Sequence, residues 1–304
     1  MINIIEIKSY IPPKKINLYK KYKKKIHKEF LLKKIGTSKV SRIDKLKDDV
    51  VSMCVKAFKK IDKKKLKKIK AIILCTQNPE FHGLPHNSAI IQKELKKITR
   101  HIDNDIACLD ISHGCSGYVY SLKSIENYLA EGDFGLIFTC DPYSKIIKSG
   151  DYNTELLFGD SSTVSLVQKK NKIKSSFYFY TDGSFYESLI NKNGKLEMNG
   201  RNILNFCMEK VPDALNKILL QNKIKIKDVK SFFFHQGSKY IIQSLRKKLK
   251  VSDEKIPLNI LNVGNTVSSA IPMTMEKFGL KKIKKPFIIC GFGVGLSVSI
   301  CLIK

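Results

Sequence analysis

Leu109-Asp110-Ile111-Ser112-His113-Gly114-Cys115-Ser116-Gly117 is the stretch from which this chain is best read. The apolar run 106–109 leads into it, and Tyr118, Val119, Leu122, Ile125, Tyr128 and Leu129 follow at helical spacing. The pattern is strand, sharp turn, helix. It sets a thiol at or near the first turn of a helix, where free backbone N–H groups and the positive helix end favour thiolate. Gly114, Ser116 and Gly117 are small and leave room for a substrate to approach the sulfur. Taken alone, Cys115 reads as a nucleophile or as a buried structural thiol, since unpaired cysteine is among the most buried residue types.

Outward from this stretch, short apolar runs alternate with helical segments, which makes the chain α/β. Strands are expected at 71–75, 135–140 and 162–167, and a helix that takes in Ile90, Ile91 and Leu95 begins at Ser88. The second half repeats the order. A strand at 231–234 ends at His235, and Ile241, Ile242, Leu245 and Leu249 mark a helix. A turn at 262–266 holds Asn265 and is followed by a helix through Met275. Then come a strand at 287–290, a glycine turn at 291–295 and a strand at 297–302. Cys115 precedes Ile137 by 22 residues, and Asn265 precedes Ile288 by 23. This parallel implies an internal duplication. The halves are 1–168, with the cysteine, and 169–304, with the histidine and asparagine; the charged run 169–174 marks the boundary. Ligands in α/β folds bind where strand ends and helix starts converge, so Cys115, His235 and Asn265 are expected in one cleft.

Composition narrows the function classes. A chain of 304 residues with 43% hydrophobic content can bury a large core. No run approaches 18 apolar residues, and the first residues lack the pattern of a secretory signal. Eight cysteines are scattered without a CxxC pair, which fits reduced thiols in a cytoplasmic protein better than disulfides or a metal site. The net charge of +29 invites a nucleic-acid reading, but only four of the 56 basic residues are arginine, the residue best suited to bidentate phosphate and base contacts. The lysines read as a solvated surface that can also attract an acidic partner.

The motifs 110–117, Phe234-His235-Gln236-Gly237 and Gly264-Asn265-Thr266 together resemble the three active-site motifs of β-ketoacyl-ACP synthase III, a family of thiolase-fold condensing enzymes. The 30-residue gap from His235 to Asn265 is similar too, and Phe158-Gly159-Asp160 and 291–295 resemble further family segments. The resemblance implies a thiolase-like fold with duplicated α-β-α-β-α layered halves. It implies an acyl group carried on Cys115, then decarboxylative Claisen condensation with malonyl-ACP, with His235 and Asn265 stabilising the enolate. The backbone N–H groups of Cys115 and Val294 would form the oxyanion hole for the acyl carbonyl.

Phe30 and Lys34 stand where the family often has a tryptophan and an arginine that hold coenzyme A. Leu84 lies in a segment that resembles the loop reaching across the homodimer into the partner's acyl pocket, and Phe158 is expected among the residues that bind substrate or coenzyme A. Lys239, Arg246, Lys247 and Lys248 are the expected contacts for an acidic acyl carrier protein. Acyl-CoA and malonyl-ACP are substrates, with no metal or resident cofactor. His113, two residues from Cys115, is not expected to act as its base. The chain departs from the family at Ser161 and Ser162, in its lack of tryptophan and in a shorter 169–231 region, which leaves the acyl primer and pathway open. Two rivals remain: an acyltransferase that delivers the acyl group to an amine or alcohol without decarboxylation, and a non-catalytic subunit of a multi-enzyme pathway.

Overall fold

The computed structural model describes residues 2–304. The first half runs β1 (Ile2–Tyr10), β2 (Lys15–Asn17), α1 (Leu18–Tyr22), α2 (Lys28–Phe30), β3 (Lys39–Ser41), α3 (Val50–Phe58), β4 (Ile69–Cys75) and α4 (Asn87–Lys96). It continues through β5 (Ala107–Ile111), α5 (Gly117–Glu126), β6 (Phe134–Cys140), α6 (Tyr152–Glu155) and β7 (Ser162–Lys169). The second half runs β8 (Ser175–Thr181), β9 (Leu189–Lys192), β10 (Lys195–Met198), α7 (Gly200–Gln221), β11 (Ser231–Phe234), α8 (Lys239–Leu249), α9 (Ala270–Phe278), β12 (Phe287–Gly293) and β13 (Ser297–Ile303).

Two mixed sheets form, ordered β1-β7-β6-β4-β5 and β8-β13-β12-β11. In each, a parallel pair, β4 with β6 and β11 with β12, is extended by antiparallel strands, β7 and β1 in one and β13 and β8 in the other. The two sheets therefore match strand for strand, with β5 the extra edge strand of the first. The apolar runs explain the layering. In β4, Ile72 and Leu74 pack outward under α3 and α4, while Ala71 and Ile73 face inward. In β12, Ile288 and Cys290 pack under α7 and α8, while Phe287 and Ile289 face inward. A strand covered on both faces must be apolar at every position, which is why these runs do not alternate. Each fully buried Ile, Leu or Phe contributes roughly 1.5–3 kcal/mol.

The inward faces enclose α5 and α9, whose Tyr118, Leu122, Ile125, Ile271 and Met275 fill the layer between the sheets. The result is the five-layered α-β-α-β-α arrangement of a thiolase-like fold. It brings the starts of α5 and α9 together from the two halves.

Two expectations change. The glycine segment 291–295 is not all turn: β12 runs through Gly293, and the pairing with β13 closes at Gly293 opposite Ser297. The motifs leave 182–230 without elements, yet this region supplies the β9–β10 pair and the 22-residue helix α7, capped by the Asn199 side chain on the Asn202 N–H. Among the described residues, no helix is long and apolar enough to cross a membrane.

Candidate active site

Cys115 lies in the turn between β5 and α5, and its side chain is nearly buried against the end of β12. A Cβ at Gly293 would stand 2.9 Å from the Cys115 sulfur, and φ there is +146°, so both space and backbone require glycine. Burial pushes the Cys115 thiol up to about 12. Hydrogen bonds from the Val294 backbone and from its own backbone pull it down, and the buried Asp141 carboxylate raises it. This corrects the expectation of a thiolate at the helix start: desolvation outweighs the backbone donors, and the resting group is a thiol.

His235 ends β11. Its backbone N–H donates to Cys290 O at 2.8 Å, and its ring meets Phe292 edge-on at 5.6 Å. Gln236 fixes the following turn by donating to Phe234 O and accepting from the Asn259 N–H, both at 2.9 Å. Burial lowers the His235 pKa to about 3, against a hydrogen bond with the Val267 backbone that raises it. The imidazole is therefore neutral at physiological pH.

Asn265 is held by a short parallel bridge to Phe158: its N–H donates to Leu157 O and its carbonyl accepts from the Gly159 N–H, both at 2.8 Å. The two segments come so close that a Cβ on Gly159 would fall 1.7 Å from Val263 O. The Asn265 side-chain oxygen accepts from the Val267 N–H at 2.9 Å. Its amide NH₂ is thereby left as the donating end of the side chain.

All three residues line one cavity of about 520 Å³. Leu189, Met198, Ile203 and Cys207 form its apolar depth, and Lys25, His27, Phe30 and Tyr240 stand on its wall as well. Among the described residues, no three His, Cys, Asp or Glu side chains converge to hold a metal ion. A neutral thiol, a neutral imidazole and an amide donor facing an apolar chamber suit carbonyl chemistry on an acyl thioester.

The description 3-oxoacyl-[acyl-carrier-protein (ACP)] synthase III matches residues 109–183, and its C-terminal counterpart matches residues 219–304, together just over half of the chain. The β-ketoacyl-[acyl-carrier-protein] synthase III of Clostridium beijerinckii is 28% identical over 261 residues, 78% of each protein. A solved 3-oxoacyl-(acyl-carrier-protein) synthase III, 26% identical, superposes with a TM-score of 0.90 and 99% coverage of both chains. The 3-oxoacyl-(acyl-carrier protein) synthase of Burkholderia xenovorans, also 26% identical, gives 0.89 over 99% of this chain and 93% of its own. The chain belongs to the β-ketoacyl-ACP synthase III family.

The structure sorts the other residues expected to serve a synthase III site. Phe158 is buried in the cavity wall, and Phe30, about half exposed, also lines it. Lys34 is exposed and off the cavity wall, its Nζ 4.2 Å from the centroid of the Tyr240 ring. Leu84 is 85% exposed and does not line its own chain's cavity. Lys239 is half-buried and donates to Leu32 O at 3.2 Å, tying α8 to the segment after α2. Lys247 and Lys248 are exposed on the last turn of α8.

Arg246 is a correction. It is buried, its guanidinium donates to the carbonyls of Ile256 and Asp253, and it pairs with the Asp253 carboxylate at 3.0 Å. Those bonds hold the 253–256 loop against α8 and leave no free fork for a carrier protein. His113 does not line the cavity; its Nδ1 meets Ser116 Oγ at 3.0 Å and its ring stacks on Tyr120.

The motifs missed Asp141. Fully buried at the end of β6, it accepts from the Gln77 N–H at 2.6 Å and from both the N–H and hydroxyl of Ser268. Burial raises its pKa to about 6, against these bonds. It ties the segment after β4 to the turn that carries Asn265 into α9. A lone acid directly after the apolar run 136–140 was the available signal.

Proposed function

We propose that this protein transfers an acyl group from a thioester to Cys115 and condenses it with a malonyl thioester, with loss of carbon dioxide. The convergence of Cys115, His235 and Asn265, from three separate elements, on one largely apolar cavity carries this reading. In the first half-reaction the sulfur attacks the thioester carbonyl. The oxyanion is received by the N–H groups of Cys115 and Val294, and collapse forms the Cys–S–acyl bond. The thiol proton leaves with the departing coenzyme A or carrier thiol. In the second, the malonyl C–CO₂ bond breaks and its electron pair enters the enolate. Two uncharged donors, the His235 ring and the Asn265 amide, stabilise the enolate oxygen without quenching the carbanion by protonation. The carbanion then attacks the acyl-Cys carbonyl, a C–C bond forms, and the Cys115 sulfur departs and is reprotonated. The product is a 3-oxoacyl thioester. The reaction consumes acyl-CoA and malonyl-ACP and needs no metal or resident cofactor. The test is to supply both thioesters and follow carbon dioxide and the 3-oxoacyl product; acyl transfer without carbon dioxide would favour delivery to an amine or alcohol instead.

The working unit is a homodimer in the cytoplasm. The eight unpaired cysteines suit a reducing compartment. β5 is an open sheet edge, an invitation to pairing. Beside its end, the rings of His113, Tyr120, Phe179 and Phe177 form a half-exposed row. Leu84 at 85% and Phe81 at 68% exposure add apolar surface to be covered. Light scattering at micromolar concentration is expected to give twice the chain mass. Leu84→Phe is expected to lower turnover of longer acyl thioesters relative to short ones, because the partner's pocket loses volume. A monomer, or an unchanged chain-length profile, would remove this assignment.

Lys247 and Lys248 dock the acidic carrier protein. Exposed charges mainly raise association rate and are screened by salt. Reversing both to Glu is expected to raise KM for malonyl-ACP by several-fold at low salt, less at high salt, and to spare malonyl-CoA. An equal effect on both substrates would place the lysines in folding rather than docking.

A further inference from the structure

The residue that offers the second oxyanion donor is supported from behind. Val294 lies between Gly293 and Gly295, both at positive φ, beyond the last rung of the β12–β13 ladder. Leu296 is pinned to Asp182 by two backbone bonds of 2.9 and 3.1 Å, so Val294 is the part of the hairpin that the ladder leaves free. Its carbonyl accepts from Ser297 Oγ at 2.8 Å. Ser297 Oγ lies 2.8 Å from Ser116 Oγ, which lies 3.0 Å from His113 Nδ1.

Counting protons gives this chain one direction. The single hydroxyl proton of Ser297 is spent on Val294 O, so Ser297 accepts from Ser116. The Ser116 proton is then spent, so Ser116 accepts from His113, whose Nδ1 carries the hydrogen. Ser116 and Ser297 are both buried, and Ser299 Oγ holds the Ser116 carbonyl at 2.9 Å. Ser116 follows the nucleophile in the first half, and Ser297 opens β13 in the second. Their contact, across 181 residues of sequence, joins the turn that offers the Cys115 N–H to the hairpin that offers the Val294 N–H.

We propose that Ser116 and Ser297 are positioning residues, a strut that fixes the spacing of the two oxyanion donors, with the bond from Ser297 to Val294 O setting its direction and His113 donating to its outer end. This rests on the proposed acyl-Cys115 reaction. The strut serves the acyl carbonyl and not the malonyl enolate, which His235 and Asn265 hold.

The experiment compares Ser116→Ala, Ser297→Ala and the double variant with wild type in three readouts. These are the single-turnover rate of Cys115 acylation by an acyl-CoA, the infrared stretch of a ¹³C-labelled acyl-Cys carbonyl, and decarboxylation of malonyl-CoA. Each variant is expected to slow acylation by about tenfold, a part of what losing a whole oxyanion donor costs. The carbonyl stretch is expected to move to higher wavenumber as its hydrogen bonds loosen. The double variant is expected to be no slower than the slower single one, because both cut the same chain. Decarboxylation should stay within about twofold of wild type, the sign that the site is still folded. A parallel fall in decarboxylation would overturn the strut, as would an unchanged acylation rate and stretch. Wild-type protein that takes no acyl group on Cys115 would instead overturn the proposed reaction and the strut together.

Discussion

Incubated with an acyl thioester that it accepts, the protein is expected to gain one acyl mass, on the peptide containing Cys115, and Cys115→Ala to gain none. The eight cysteines make the result specific. Among the described residues, Cys207 is the only other thiol on the cavity wall, and it lies within α7, where the backbone N–H groups are spent on the helix. Cys115 alone of the two has the Val294 N–H beside it. Burial raises both thiols, so the distinction lies in the oxyanion donors and not in acidity. Label on Cys207, or label that persists in Cys115→Ala, would refute the assignment. Because the Cys115 thiol is pushed up to about 12, alkylation by a small neutral electrophile should also rise with pH. The thiolate fraction grows roughly tenfold per pH unit below the pKa, and a plateau near neutrality would contradict the desolvated thiol.

His235→Ala and Asn265→Ala are each expected to reduce malonyl decarboxylation by roughly 10²–10³-fold, the scale for removing one preorganised donor. Acylation of Cys115 should suffer less, because its proposed oxyanion donors are backbone groups. The pH dependence carries the sign. The His235 pKa is lowered to about 3, so the working neutral ring is present above that value and is lost only as pH falls through it. His235 is therefore expected to give decarboxylation no step of its own between about pH 5 and 8, the range that holds the ordinary histidine value near 6.5. A step there, removed by His235→Ala, would mean that the ring titrates as an exposed imidazole. Equal loss of acylation and decarboxylation in both variants would mean that they disturb the cavity as a whole.

Much of this site is legible in the chain because the signals are local. A strand buried on both faces has to be apolar throughout, so β4, β6, β11 and β12 announce themselves. The turn glycines and the short motifs around Cys115, His235 and Asn265 are local too. α7 also carried a readable signal, with the Asn199 cap and apolar residues from Ile203 to Leu219 at helical spacing, but its lack of a chemical motif left it unassigned.

What the sequence by itself determined was the α/β class; it also pointed to paired halves and to Cys115, His235 and Asn265 as candidate reactive side chains. The class and the halves follow from periodicity and turn chemistry, which act over a few neighbours, and the three side chains from short motifs that resemble those of the family. The tertiary structure alone decided how those side chains behave. Whether Cys115 is thiol or thiolate depends on desolvation by β12 and the hairpin beyond it, which lie far away in the chain. Arg246 looked like one more cation on an exposed helix until the fold buried it under Ile256. The Ser116–Ser297 strut and the Asp141–Ser268 tie span 181 and 127 residues, separations at which sequence pattern carries no hydrogen-bond information. Burial and partner choice are set by the packing of distant segments, and they govern charge and orientation in this site.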